Sequence, residues 1–179
     1  MATNTLITAG EYQALPEMEN GAEYEMSGGE LIVLASATLF HNWLRDDILE
    51  RLRMFLRQHP HLGRAASEVD FWLASETVRR PDVAFIRAAK LESLDPRKKL
   101  EFPPDLAIEI TSPDDDLPRK IQDYLAAGSR VWALYPEARI ARIHKPGEPP
   151  VVRDAETGDR LEDAELLPGF SLPLTEILP

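Results

Sequence analysis

The chain has 179 residues, 44% of them hydrophobic, with a formal net charge of -11 and no cysteine. That length suits one ordinary domain over residues 1–179 with a substantial core, and the missing cysteines exclude disulfides and thiolate metal sites. No stretch approaches the ~20 continuous apolar residues of a spanning helix. The first residues show neither the basic start nor the apolar run of a secretory signal, so a soluble, cytoplasmic protein is expected. Acidity counts against nonspecific capture of phosphate backbones by a basic stripe. It leaves an enzyme on DNA open, because divalent cations offset local carboxylates and a dimer could gather Arg51, Arg53, Arg57 and Arg64 into one patch.

Thr8-Ala9-Gly10-Glu11 has the form of a capping box and predicts a short helix ending before Pro16. Residues 22–34 fall into two extended runs around Ser27-Gly28-Gly29, where glycine supplies the positive φ of a tight hairpin turn. From Ser36, read as the N-cap, to about Gln58, the residues Phe40, Leu44, Ile48, Leu52, Phe55 and Leu56 recur at helical intervals. This predicts one long amphipathic helix stopped by Pro60. Extended runs follow at 64–73, with Val69, Phe71 and Leu73 alternating, and at 77–87, where Pro81 marks a strand start or bulge.

Beyond a charged connection, the run Asp105 to Thr111 reads as a central strand bounded by Pro103-Pro104 and Ser112-Pro113. A helix from about Asp116 to Ala127 stops at Gly128, and residues 131–144 form a second hairpin turning at Pro136-Glu137. Residues 145–164 read as a polar excursion, and the C-terminal run from Leu166 packs back with a short helix. The pattern is α/β, with a mixed central sheet flanked by helices, an N-terminal hairpin and a C-terminal β extension.

Side chains alternate along a strand, so Asp105, Ala107, Glu109 and Thr111 share one face. Glu109 sits amid apolar residues and needs a cation, a hydrogen-bond donor or a proton. Asp82 follows Pro81 and precedes an apolar run, at the mouth of a buried strand. Two carboxylates on neighbouring strands offer oxygen ligands to a hard cation such as Mg²⁺. Lys120, in the helix after the Glu109 strand, is placed to swing its ammonium back over the strand end and stabilise phosphoryl charge.

Each of these residues also has a plain structural reading. Asp82 could cap a turn, Glu109 could pair with Arg79 or Arg80, and Lys120 could form a surface pair with Asp116. Asp105 lies about 13 Å along the strand from Glu109, too far to share one metal. His41 could pack or approach the site. Asp114, Asp115 and Asp116 are explained by helix capping and the helix dipole.

In this order the motifs resemble the Uma2-like restriction endonuclease family (the DUF820 domain), within the PD-(D/E)XK nuclease superfamily. The likeness runs through Tyr24 to Leu31, the His41 helix, Arg80-Pro81-Asp82-Val83, and Pro104 to Pro113. It continues through Lys120 with Tyr124, Gly128 with Val131 to Leu134, and Leu167-Pro168-Gly169-Phe170. The resemblance implies a restriction-endonuclease-like sheet and a Mg²⁺- or Mn²⁺-dependent endonuclease acting on DNA, commonly as a homodimer. Asp82 and Glu109 would be its metal ligands and Lys120 its basic partner. It also implies an early acid near the site, which the sequence leaves between Glu25 and Glu30.

A standard superfamily member carries lysine two residues after the second acid, where this chain has Thr111; Lys120 would replace it from the following helix. Two other functions stay open on the sequence alone. One is a noncatalytic interaction domain that keeps the nuclease fold, the other a metal-dependent hydrolase of small phosphate esters. Close carboxylates with an inward Lys120 favour the enzyme, whereas a salt-bridged Glu109 or an outward Lys120 favours the binding module.

Overall fold

In the computed structural model, which describes residues 6–15, 24–34, 36–112 and 116–178, the capping box at Thr8 is formed. The Thr8 N–H donates to the Glu11 carboxylate at 2.8 Å and the Glu11 N–H to the Thr8 hydroxyl at 3.3 Å, opening α1 (Ala9–Gln13). The hairpin follows as β1 (Tyr24–Ser27) and β2 (Glu30–Val33), closed by the pair Ser27↔Glu30. Gly28 and Gly29 turn it with φ of 56° and 78°. A side chain at Gly29 would also press on Leu6 Cβ at 3.0 Å, so this turn position needs glycine twice over.

The long helix α2 (Leu39–Gln58) is capped by Thr38, not by Ser36, and the Thr38 hydroxyl accepts from the His41 N–H at 3.1 Å. Both hydroxyls are competent caps, and the one adjacent to the first helical residue takes the role. Its buried stripe is His41, Leu44, Ile48, Leu49, Leu52 and Leu56. Phe40, expected on that stripe, is exposed, and His41 turns inward in its place.

Two runs that read as single strands are divided between sheets. The run at 64–73 divides into β3 (Gly63–Ala66) and β4 (Phe71–Ala74), with Val69 exposed in the link between them. Residues 77–87 contain β5 (Thr77–Arg79) and β6 (Val83–Arg87), and Pro81, which has no N–H for a ladder, sits in the gap. The chain then forms α3 (Ala88–Leu91), β7 (Leu106–Ile110), α4 (Leu117–Ala126), β8 (Arg130–Tyr135) and β9 (Ile140–His144). A 3-10 turn at Pro136–Ala138 closes the β8–β9 hairpin.

The polar excursion over 145–164 contains two strands, β10 (Val151–Asp154) and β11 (Arg160–Leu161), the latter paired with β12 (Leu172–Pro173). Backbone pairing with β9 fixes β10 although its Val151 and Val152 side chains remain exposed, which hides it from a burial pattern.

One sheet has the order β2-β1-β5-β4, and the larger has the order β10-β9-β8-β7-β6-β3, in which β7 and β8 are parallel and every other pair antiparallel. This is the mixed central sheet that the sequence predicts, with β7 in its interior. One face carries Val83, Phe85, Leu106, Ile108, Ile110, Trp132 and Leu134 against the buried stripe of α2 and the C-terminal segment around Leu167, Phe170 and Leu174. The other presents Ala107, Val131 and Ala133 to Leu117, Ile121 and Tyr124 of α4. Among the described residues, no helix is long and apolar enough to cross a membrane.

Candidate active site

Strand alternation decides where Glu109 goes. Leu106, Ile108 and Ile110 enter the α2-side core, so Ala107 and Glu109 face α4. Glu109 pairs across the parallel ladder with Ala133, and these alanines leave room for a carboxylate between sheet and helix. Glu109 is 1% exposed, so its charge requires local partners.

Those partners come from α4. Asp116 is the N-cap, its carboxylate accepting from the Arg119 N–H at 3.3 Å, and Gly128 ends the segment with φ of +87°. Within the helix Lys120 and Tyr124 are four residues apart and share one face. The Lys120 ammonium lies 3.3 Å from Glu109 Oε2 and 3.7 Å from Glu25 Oε2, while the Tyr124 hydroxyl donates to Glu109 Oε1 at 2.8 Å. Burial, and then the adjacent Glu109 charge, hold the Tyr124 phenol well above its ordinary pKa, so it stays a donor. Lys120 therefore points inward, only 8% exposed, between the two acids.

Glu25, on β1, is fully buried and lies on the other side of the Lys120 ammonium. Its carboxylate accepts from the Arg80 N–H and from Arg79 Nη1, each at 2.8 Å. Arg79 also donates through Nε to Asp123 at 2.8 Å. Burial works against the Arg79 charge, but Glu25 and Asp123 more than offset it and raise its pKa further. Ser27 extends the network by donating to Asp123 at 2.7 Å and accepting from Arg119 Nε at 2.8 Å. Two buried acids, Glu25 and Glu109, are thus matched by two buried cations, Arg79 and Lys120. Glu30 sits at the rim of this network, pairing with Arg119 at 2.7 Å in a partly exposed position.

Asp82 is held differently. The β6–β7 ladder begins at Val83↔Ile108, so Asp82 stands one residue before it and Glu109 one residue after Ile108. Past the Pro81 gap the Asp82 side chain does the work of a strand carbonyl. Its Oδ2 accepts from the Ile110 N–H at 2.7 Å, and its Oδ1 lies 2.7 Å from His41 Nε2. His41 Nδ1 is 3.2 Å from the Ser112 hydroxyl.

The structure thus brings Lys120 to Glu109, and it anchors Asp82 on the peptide that follows Glu109. Asp82 is held by α2 and the β7 backbone, whereas Lys120 and Tyr124 reach Glu109 from α4. Thr111, at the position of the standard lysine, uses its N–H to bond the Leu134 carbonyl at 2.9 Å. Asp105 is structural, accepting from the Arg87 N–H at 2.9 Å and pairing with Lys90 at 3.2 Å. Asp114 and Asp115 lie outside the described residues.

Tyr124, Ser112, Arg79 and Asp123 join these contacts beyond the site residues that the sequence suggests. Tyr124 was recoverable from its i+4 spacing to Lys120. The links from position 79 to 123 and from 41 to 112 join distant segments and have no local signature.

Among the described residues, no group of three or more His, Asp or Glu side chains forms a ready-made cage for a metal ion. The donor chemistry of Asp82 and Glu109 nevertheless fits a hard divalent cation. Mg²⁺ characteristically takes one or two carboxylates and keeps several waters.

The sequence profile of the Uma2 family, described as "Putative restriction endonuclease", matches residues 9–175. The chain belongs to the Uma2 family. A crystal structure of a putative nuclease belonging to DUF820 from Anabaena variabilis ATCC 29413 superposes with a TM-score of 0.83. The two chains are 19% identical, over 96% of this chain and 97% of that one, so they share the fold. The restriction-endonuclease-like sheet expected from the motifs is present. No curated protein sequence matches this chain.

Proposed function

We propose that this Uma2-family protein is an endodeoxyribonuclease that depends on Mg²⁺ or Mn²⁺, with Asp82 and Glu109 holding the cation and Lys120 acting on the scissile phosphate. The observation that carries the reading is the inward Lys120, whose ammonium reaches Glu109 at 3.3 Å from the helix after the central strand. Family membership and the DUF820 fold support the same reaction class. When bound, the cation supplies Lewis-acid neutralisation of phosphodiester charge.

The chain's own residues orient the reaction. The backbone of β7 and His41 fix Asp82, and Tyr124 fixes one oxygen of Glu109, so each acid that would hold the cation is kept in one orientation. The Lys120 ammonium, kept beside both Glu109 and Glu25, offers positive charge to a developing phosphorane oxygen. Cutting both DNA strands calls for two such sites, so we read the working form as a homodimer of single nuclease-like domains. A chain without cysteine suits the reducing cytoplasm.

The test is incubation with supercoiled plasmid and, separately, single-stranded DNA, in Mg²⁺, Mn²⁺ or EDTA, beside Asp82→Ala, Glu109→Ala and Lys120→Ala. The expected result is metal-dependent cleavage lost in each variant. Absence of cleavage in either metal, together with absence of Mn²⁺ binding that depends on Asp82 and Glu109, would overturn it in favour of a noncatalytic domain with this fold. The Glu109–Lys120 salt bridge, which satisfies the buried acid without a cation, is the observation that favours such a domain.

A further inference from the structure

His41 is the polar exception on the buried stripe of α2, which is otherwise leucine and isoleucine. Both ring nitrogens meet partners from other elements. Nε2 lies 2.7 Å from Asp82 Oδ1, and Nδ1 lies 3.2 Å from the Ser112 hydroxyl just past β7. The ring rises from the first turn of a 20-residue helix whose cap, Thr38, also holds the His41 N–H.

Asp82 needs such support because it lies outside the ladder, after Pro81. Its carboxylate offers about four acceptor sites. The Ile110 N–H and the His41 ring use one on each oxygen, which fixes both the tilt and the twist of the group. Either bond alone would leave it free to rotate about the other. In the neutral ring, donation from Nε2 leaves Nδ1 as the acceptor, and the Ser112 hydroxyl donates to it. The side chains of His41 and Asp82 remain 11% and 17% exposed, so the assembled group is close to solvent.

We propose that His41 is a positioning residue for Asp82, and that Ser112 sets its tautomer, so that the Asp82 carboxylate is presented to a divalent cation in one orientation. This rests on the reading of Asp82 as a cation ligand. The serine, histidine and aspartate form one chain across α2, the end of β7 and the Pro81 gap, joining three segments that meet only in the folded protein. Removal of the imidazole leaves Asp82 held at one oxygen, with a rotational freedom that the cation must then suppress on binding.

The test is a calorimetric titration of the full chain with Mn²⁺, without DNA, for the parent, His41→Leu, His41→Gln and Ser112→Ala, with long-range ¹H–¹⁵N spectra of the histidine rings. His41→Leu keeps the packing and should weaken Mn²⁺ about 10- to 100-fold, the usual loss when support of a ligand is removed. His41→Gln places an amide N–H near the position of Nε2 and should restore most of the affinity, with Ser112→Ala between them. The spectra should show a proton on His41 Nε2 in the parent. Equal Mn²⁺ affinity in the parent and His41→Leu, or a His41 ring without a proton on Nε2, would overturn the role of His41 alone. A parent that takes up no Mn²⁺ would overturn the cation reading of Asp82 and this inference with it.

Discussion

The strand β7 meets two helices with opposite chemistry. Toward α2 it sends Leu106, Ile108 and Ile110, which join Leu44, Ile48, Leu52 and Leu56 in the largest apolar cluster among the described residues. Toward α4 it sends Ala107 and Glu109, and α4 answers with Lys120 and Tyr124. Large branched side chains fill the first layer. The alanines of the second leave space that charged groups occupy, at the cost of having to match each charge. Alternation along five residues therefore separates the side that stabilises the sheet from the side that carries the candidate chemistry. The His41–Asp82 bond is the point where the α2 side touches that chemistry.

Charge matching on the α4 side is exposed most clearly by substitution of Arg79. Arg79→Ala leaves Glu25 buried without its main cation and should destabilise the fold by about 3 to 5 kcal/mol. A urea midpoint close to that of the parent would show that the α4 side does not depend on charge matching. Tyr124→Phe should cost about 1 to 3 kcal/mol, because a buried oxygen of Glu109 loses its donor. That variant also sharpens the pH behaviour. The folded-state pKa of Tyr124 is raised, so its contribution is complete below the unfolded value near ~10 and is lost as pH rises through the folded one. Phenylalanine should therefore flatten part of the alkaline loss of stability seen in pH-dependent thermal melts.

On the α2 side, Ile48→Val should cost about 0.5 to 1.5 kcal/mol and leave Mn²⁺ affinity unchanged. A calorimetric loss of affinity there would contradict the division of labour between the two faces. The smallest expected effect is at His144, whose pKa is lowered by burial and then by Arg142. Its Nε2 is buried without a hydrogen-bond partner among the described residues. Its stabilising contribution is present above ~6.5 and is lost as pH falls through the folded value. His144→Phe should flatten the acid limb of the stability profile below that pH, and an unchanged limb would remove His144 from the account.

Local chemistry made much of this architecture legible. Gly28-Gly29 announced the hairpin, Asp116 and Gly128 bracketed α4, and the β-rich run ending at Ile110 read as an interior strand. Legibility failed where a pattern does not say which sheet a residue joins. Phe71 and Leu73 alternate as a strand should, but β4 pairs with β5 whereas β3 pairs with β6. Pro81 was visible as an interruption, yet the interruption proves to be the passage from one sheet to the other.

The site follows the same rule. Glu109 and Lys120 lie within one strand–helix unit, so alternation and spacing anticipate their meeting. Glu25 meeting Arg79, and His41 meeting Asp82, require long-range pairing that a single sequence does not encode in any short window.

If the α4 side carries the chemistry, Glu109→Gln should separate activity from folding. The amide keeps the shape of the side chain and removes the charge. Plasmid cleavage in Mn²⁺ should fall by about 100-fold or more, while the cooperative urea transition is retained. Cleavage at the parental rate, or a loss that merely tracks unfolding, would contradict the account.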